Sequence, residues 1–194
     1  SLAMGVDARA TATDSYAIGV NANATHTNGF AFGTYANAQG ANAFAVGPNA
    51  LASGTNSFAM GPNAYANGYD SFAMGPGAVA NGDGSFALGD FATDASGAND
   101  SLVTGDGANV SASNASAFGT ESTIWSGATY SYAYGCVAMM SDEADGHELL
   151  QDMQVVLVQV ALPADMPLHK RPEGAERAAG LGATGTAHCR PQLP

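Results

Sequence analysis

Glycine returns at positions 5, 19, 33, 47, 61, 75 and 89, six successive intervals of 14 residues. The series goes on at Gly105, Gly119 and Gly135, with two intervals lengthened to 16 residues. Each of these glycines closes an alternating stretch such as Ser57-Phe58-Ala59-Met60-Gly61. A second stretch lies between them, as in Ala64-Tyr65-Ala66-Asn67-Gly68. One unit therefore reads S-x-A-x-G-x-x-A-x-A-x-G-x-x. Five-residue alternation broken at glycine is a strand signal, and a fixed period signals a solenoid. The expected fold is all-β, a roll of 14-residue coils with two strands each.

Composition fits that reading and no conventional core. The chain of 194 residues holds 40 Ala and 25 Gly, so large hydrophobic residues are few. Only 11% of residues are charged, five are Lys or Arg, and the net charge is −12. Phosphate contacts need basic side chains, so nucleic acid is excluded as a partner. An anionic membrane surface is disfavoured for the same reason.

Strand side chains alternate between faces. In the first strand of a coil, Ser71, Ala73 and Gly75 share one face; in the second, Ala64, Ala66 and Gly68 do. Only Ser, Ala and Gly are expected inside, because a 14-residue coil leaves no room for Leu or Phe. The outward positions of the first strand carry Tyr16, Ile18, Phe30, Phe32, Phe44, Val46, Phe58, Met60, Phe72, Met74, Phe86 and Leu88. The same wall continues through Phe118, Tyr132 and Tyr134, and eighteen of its twenty positions are large and apolar. The second strand's outward positions are polar, with only Leu51, Tyr65, Val79 and Trp125 as large apolar exceptions. Ten coils spaced about 4.8 Å apart make an apolar stripe roughly 48 Å long. A soluble monomer does not expose such a patch, and each buried side chain is worth roughly 1.5–3 kcal/mol. The wall is expected to pack against copies of itself.

The repeat is expected to occupy residues 1–138. No aromatic residue follows Tyr134 and no Asn follows Asn114, while five of eight prolines lie at 163 or beyond. Leu150, Met153, Leu157 and Val160 fit a short helix or stalk-like segment over 139–162, and Val155-Val156-Leu157-Val158 fits a strand equally well. Residues 163–194 read as a disordered or non-native tail.

Motifs for chemistry are sparse. There is no phosphate-cradling glycine loop, zinc spacing or nucleophile elbow. His26 occupies a turn position, and His147, His169 and His188 are scattered. Gly82-Asp83-Gly84 and Gly105-Asp106-Gly107 lack the nine-residue spacing of calcium-binding rolls. No cofactor or metal is expected. Asp70, Asp83, Asp90, Asp94, Asp100 and Asp106 read as solvated connector charges. Cys136 and Cys189 read as incidental free thiols, too far apart in sequence for a disulfide framework. Tyr65 and Trp125 protrude from the polar wall, and with Asn67, Asn81 and Asp83 they are the candidate ligand-contact residues.

The unit S-x-A-x-G-x-x-A-x-A-x-G at a period of 14 resembles the head repeat of YadA-like trimeric autotransporter adhesins. These bacterial surface proteins are sometimes called haemagglutinins, and the resemblance covers about residues 1–138. It implies a left-handed parallel β-roll, with three copies side by side on a threefold axis. It also implies that the apolar wall, Tyr16 through Tyr134, faces that axis as a homotrimer interface. The family's heads bind extracellular-matrix proteins and host-cell surfaces. The collagen-binding form N-S-V-A-I-G-x-x-S is met only in part, by Asn56-Ser57-Phe58-Ala59-Met60-Gly61 ending in Ala64 and by Asp14-Ser15-Tyr16-Ala17-Ile18-Gly19 ending in Ala22. The signal, neck, stalk and anchoring barrel of such proteins are not visible, so the chain reads as a head fragment.

The expected function is a non-catalytic adhesin head on the bacterial surface, anchored to the outer membrane in its full-length form. Its partner would be a host matrix protein or cell-surface receptor, held by multivalent protein or glycan contact. The alternative is a structural trimeric fibre segment, from a phage or secreted fibre, without an adhesive role. A solenoid acyltransferase is disfavoured, because those use six-residue steps and an interfacial His.

Overall fold

A computed structural model describes residues 1–95 and 97–140. Of the segment expected over 139–162, residues 141–162 lie outside the described residues, as does 163–194, and with them His147, His169, His188 and Cys189.

Among the described residues, twenty short strands alternate between two ten-stranded parallel sheets, which makes a solenoid of ten coils. The first sheet takes the strand that precedes each periodic glycine, such as Phe58–Met60 and Phe72–Met74. The second takes the strand that follows it, such as Tyr65–Ala66 and Val79–Ala80. Equivalent positions pair without offset: Phe58 with Phe72, Ala59 with Ala73, Met60 with Met74. The last described strand, Met139–Met140, pairs with Thr123–Ile124.

Register comes from the periodic glycines. Gly61 has φ +135°, and a Cβ there would sit 2.6 Å from the carbonyl oxygen of Gly75 in the next coil. Side chains are excluded twice over, by backbone conformation and by space. Each coil then turns at two non-strand corners seven residues apart. The corner residues adopt left-handed backbone angles, and Asn or Asp supplies most of them: Asn49, Asn56, Asn63 and Asp70 have φ between 51° and 57°. Asx side chains tolerate that region better than other residues with a Cβ.

The interior is a column of methyl groups. Ala59, Ala66, Ala73 and Ala80 are fully buried. Ser57 and Ser71 also point inward, and their hydroxyls donate to the carbonyls of Gly54 and Gly68 at 2.6 and 2.7 Å. Serine belongs there because its one buried donor has a partner. The expectation that only Ser, Ala and Gly line the interior fails in the later coils. Val103, Val110, Ile124 and Asp94 are fully buried there. All four lie in the two 16-residue intervals or the 14-residue interval between them.

Cys136 corrects a second expectation, because it is disulfide-bonded rather than a free thiol. Distance along the chain says nothing about whether two sulfurs meet; that needs Cα atoms within about 7 Å in space.

The outward side of the first sheet is the apolar wall. Phe30, Phe44, Phe58 and Phe72 stack with ring centroids 4.7, 4.8 and 4.6 Å apart. Phe118 and Tyr134 repeat the contact at 4.8 Å. Among the described residues nothing covers these rings on their outer side, and Phe32 and Phe86 are exposed.

Replacing Ala73 by Leu should overpack the column and lower stability by about 3 kcal/mol. Thermal unfolding measures it, and an unchanged midpoint would overturn the assignment of inside and outside.

Candidate ligand-contact surface

The second sheet presents the polar wall, and hydrogen-bonded ladders run along it. Ser53 Oγ donates to Asn67 Oδ1 at 2.7 Å, and Asn67 Nδ2 donates to Asn81 Oδ1 at 2.7 Å. Such ladders arise because parallel pairing in exact register puts like side chains about 4.8 Å apart. Tyr65 stands beside Asn67, half-buried between Leu51 and Val79 of the adjoining coils. Asp83 lies at the corner beyond Asn81, and its Oδ1 accepts from the backbone N–H of Tyr69 at 2.8 Å. Tyr65, Asn67, Asn81 and Asp83 therefore share neighbouring coils. Trp125 does not join them: it is 53% exposed, at the outward position four coils from Asn67, roughly 19 Å along the stack.

A second ladder follows one corner of the roll. Asn28 donates to Asn42, Asn42 to Asn56 and Asn56 to Asp70, through Nδ2 to Oδ1 at 2.9, 2.9 and 2.8 Å. These are left-handed corner residues, so the backbone conformation that favours Asx also places its amide in the ladder. His26 is an exposed turn residue, as expected, with its Nδ1 3.1 Å from Thr25 Oγ1.

Asp94 departs from its expected place among the solvated charges. It replaces an interior Ala just before the first two-residue insertion and is fully buried. Its Oδ2 accepts from the N–H groups of Gly82 and Asn81 at 2.6 and 3.1 Å. Its Oδ1 accepts from Ser101 Oγ at 2.5 Å. In regular coils the equivalent donors, Asn67 N and Gly68 N, bond to the carbonyl of Ala80. At the insertion the carboxylate takes over part of that work. The strand alternation marked this place as inward, at the position of Ala80, but its acidic type read as a connector charge.

Burial raises the pKa of Asp94 above 3.8, while the hydrogen bonds from Ser101, Gly82, Ser85 and Asn81 oppose the shift. A raised folded pKa means that the fold favours the protonated acid. The associated stability is complete below the unfolded value and is lost as pH rises through the folded one. Among the described residues, no three His, Cys, Asp or Glu side chains come together to hold a metal. No helix among them is long and apolar enough to cross a membrane.

The YadA head domain repeat matches residues 10–36, 38–64 and 66–92. Each match spans two coils of the structure. Residues 10–92 of the solenoid are built of YadA head domain repeats. No curated protein matches the chain. The match ends just where the first 16-residue coil begins, and the structure carries the same coil on to Met140. The YadA-type head is thus a parallel β-solenoid of an adhesin family whose members assemble as trimers.

Asp94→Ala should strand the N–H groups of Asn81 and Gly82 and cost at least about 2 kcal/mol in chemical denaturation. Asp94→Asn keeps an acceptor for them. Its stability should gain on the wild type as pH rises from near 3.8 toward neutrality. Parallel pH profiles for the two proteins would contradict the assignment.

Proposed function

We propose that this head is a passive adhesin that holds host matrix protein or cell-surface glycan through its polar wall and corners. The observation that carries the reading is the ladder from Ser53 through Asn67 to Asn81. It offers the same amide and hydroxyl groups at a fixed interval on a rigid support. A ligand with its own repeating hydrogen-bonding groups would meet several of them at once, and weak contacts would add through avidity. Tyr65, Asn67, Asn81 and Asp83 form the central patch of this surface, and Trp125 is a separate aromatic contact farther along. Extracellular display and an outer-membrane anchor in the full-length protein accord with the family's surface location.

Three chains would assemble with their apolar walls facing one another, from Tyr16 and Ile18 to Tyr132 and Tyr134. The half-buried Phe ladder and the exposed Phe32 and Phe86 on the same wall support this, because water contact along such a stripe is unfavourable. Assembly would also triple the number of polar walls available to a surface.

Solution scattering should give the mass of three chains, and a single-chain mass would sink the assembly. An array of glycans and matrix proteins probed with the assembled head should show binding. That signal should drop at least tenfold in Asn67→Asp/Asn81→Asp, through charge and loss of the ladder. Wild-type binding that survives these changes would move the contact surface elsewhere, and no binding at all would favour the fibre reading.

A further inference from the structure

The two corners of the coil solve one backbone problem in opposite ways. At the corners of the regular coils, the residue before the left-handed one has an N–H with no backbone partner. On the Asn-ladder corner, side chains of the next coil supply acceptors in three successive coils. Tyr69 N–H donates to Asp83 Oδ1, Asp83 N–H to Asn99 Oδ1, and Asn99 N–H to Ser113 Oγ, at 2.8, 3.0 and 3.2 Å. On the opposite corner the same place is held by Pro48, Pro62 and Pro76, which have no N–H. Their carbonyls are all used, accepting from Asn63, Gly77 and Phe91 at 2.9 Å. Asn49 and Asn63 are the left-handed residues beside the first two prolines.

From the second coil to the seventh the proline corner is also the more apolar one. Tyr69 is the one exposed large apolar residue of the other corner there, and Tyr130 lies beyond. Val20, Tyr35, Pro48, Pro62, Pro76 and Phe91 give every coil from the second to the seventh one exposed apolar group there. Tyr35 and Phe91 do so from left-handed backbone, with φ of 60° and 51°. That conformation is unfavourable for aromatic residues. The corner follows directly on the first sheet, so its apolar surface is continuous with the wall of Phe and Met. In the next two coils both surfaces lose apolar character: Asp106 and Thr120 hold the corner place where Thr104 and Ser116 interrupt the wall.

We infer that the proline corner is buried in the assembly, against the neighbouring copy of this chain, and that the Asn-ladder corner faces solvent. The inference rests on the trimer proposed above. A cyclic trimer joins two unlike surfaces of each chain, because its contacts run head to tail around the ring. The wall supplies one of them. The second must lie at a corner, and a dry contact favours the corner that is continuous with the wall and whose three central coils have lost the unpartnered donor to proline. Water can serve the other.

Two measurements on the full chain test this. Pro62→Asp puts a charge at a place where Asp90 and Asp106 already occur, so the coil itself tolerates it. Thr55→Asp does the same on the other corner, at the place of Asp83. Analytical ultracentrifugation should show the dissociation constant of the Pro62→Asp trimer raised at least tenfold and that of Thr55→Asp unchanged. Equal assembly of the two variants would overturn the inference while leaving the trimer standing. Hydroxyl-radical footprinting of the wild type covers the case in which Pro62→Asp does not fold. Within one chain Tyr35, Phe91 and Tyr69 are 57, 65 and 53% exposed. In the trimer, Tyr35 and Phe91 should be oxidised several-fold more slowly than Tyr69 relative to their free amino acids. Equal protection would refute the buried corner, and a single-chain wild type would refute the trimer reading itself.

Discussion

Everything in this solenoid depends on one contact, the approach of each periodic glycine to the carbonyl of the next. At Gly61 and Gly75 two backbones come closer than any Cβ would permit. The coils can therefore stack without offset or lateral slip, since a shift of one residue would bring a side chain into that gap. Exact stacking turns repetition in sequence into repetition in space. The Phe30-to-Phe72 ring stack and the Asn28-to-Asp70 amide ladder follow from the same geometry. One is apolar and the other polar only because different residues occupy the equivalent places.

Exact stacking also divides the hydrophobic core. Within each chain the interior is a thin column of Ala methyl groups and satisfied Ser hydroxyls, which buries little apolar area per coil. The large side chains lie outside, on a wall that a single chain leaves uncovered. Backbone polar groups follow the same logic. Most bond to the adjoining coil, and of the donors left at the corners, three are capped by side chains on one side and three are eliminated by proline on the other. A polar corner and a dry corner can then coexist on one narrow roll.

Features that recur in every coil are legible in the amino-acid sequence. The strands, the sorting of Ala inward and Phe outward, and the polar wall around Asn67 and Asn81 all repeat, and each repetition supports the last. Features that occur once are not legible in that way. Asp94 has the composition of a connector charge, and only its place opposite Gly82 and Ser101 makes it an interior acceptor. Val103, Val110 and Ile124 break the expectation of an all-small interior, and they do so only from the first 16-residue interval onward. The corner residues are hidden for another reason. Asn suits both solvent and left-handed backbone, so Asn42 and Asn56 read as surface residues and carry no separate sign of their φ angles.

By itself, then, the sequence determined the period, the two strands of each coil and which face of each strand is apolar. These are set by local alternation and by the steric demand for glycine, and both act within one or two coils. Tertiary structure alone decided what meets across coils: the amide ladders, the carboxylate stitched into the insertion, the disulfide-bonded Cys136 and the contrast between the two corners. Those depend on distances between residues far apart in the chain, which become fixed only when the whole stack is in register.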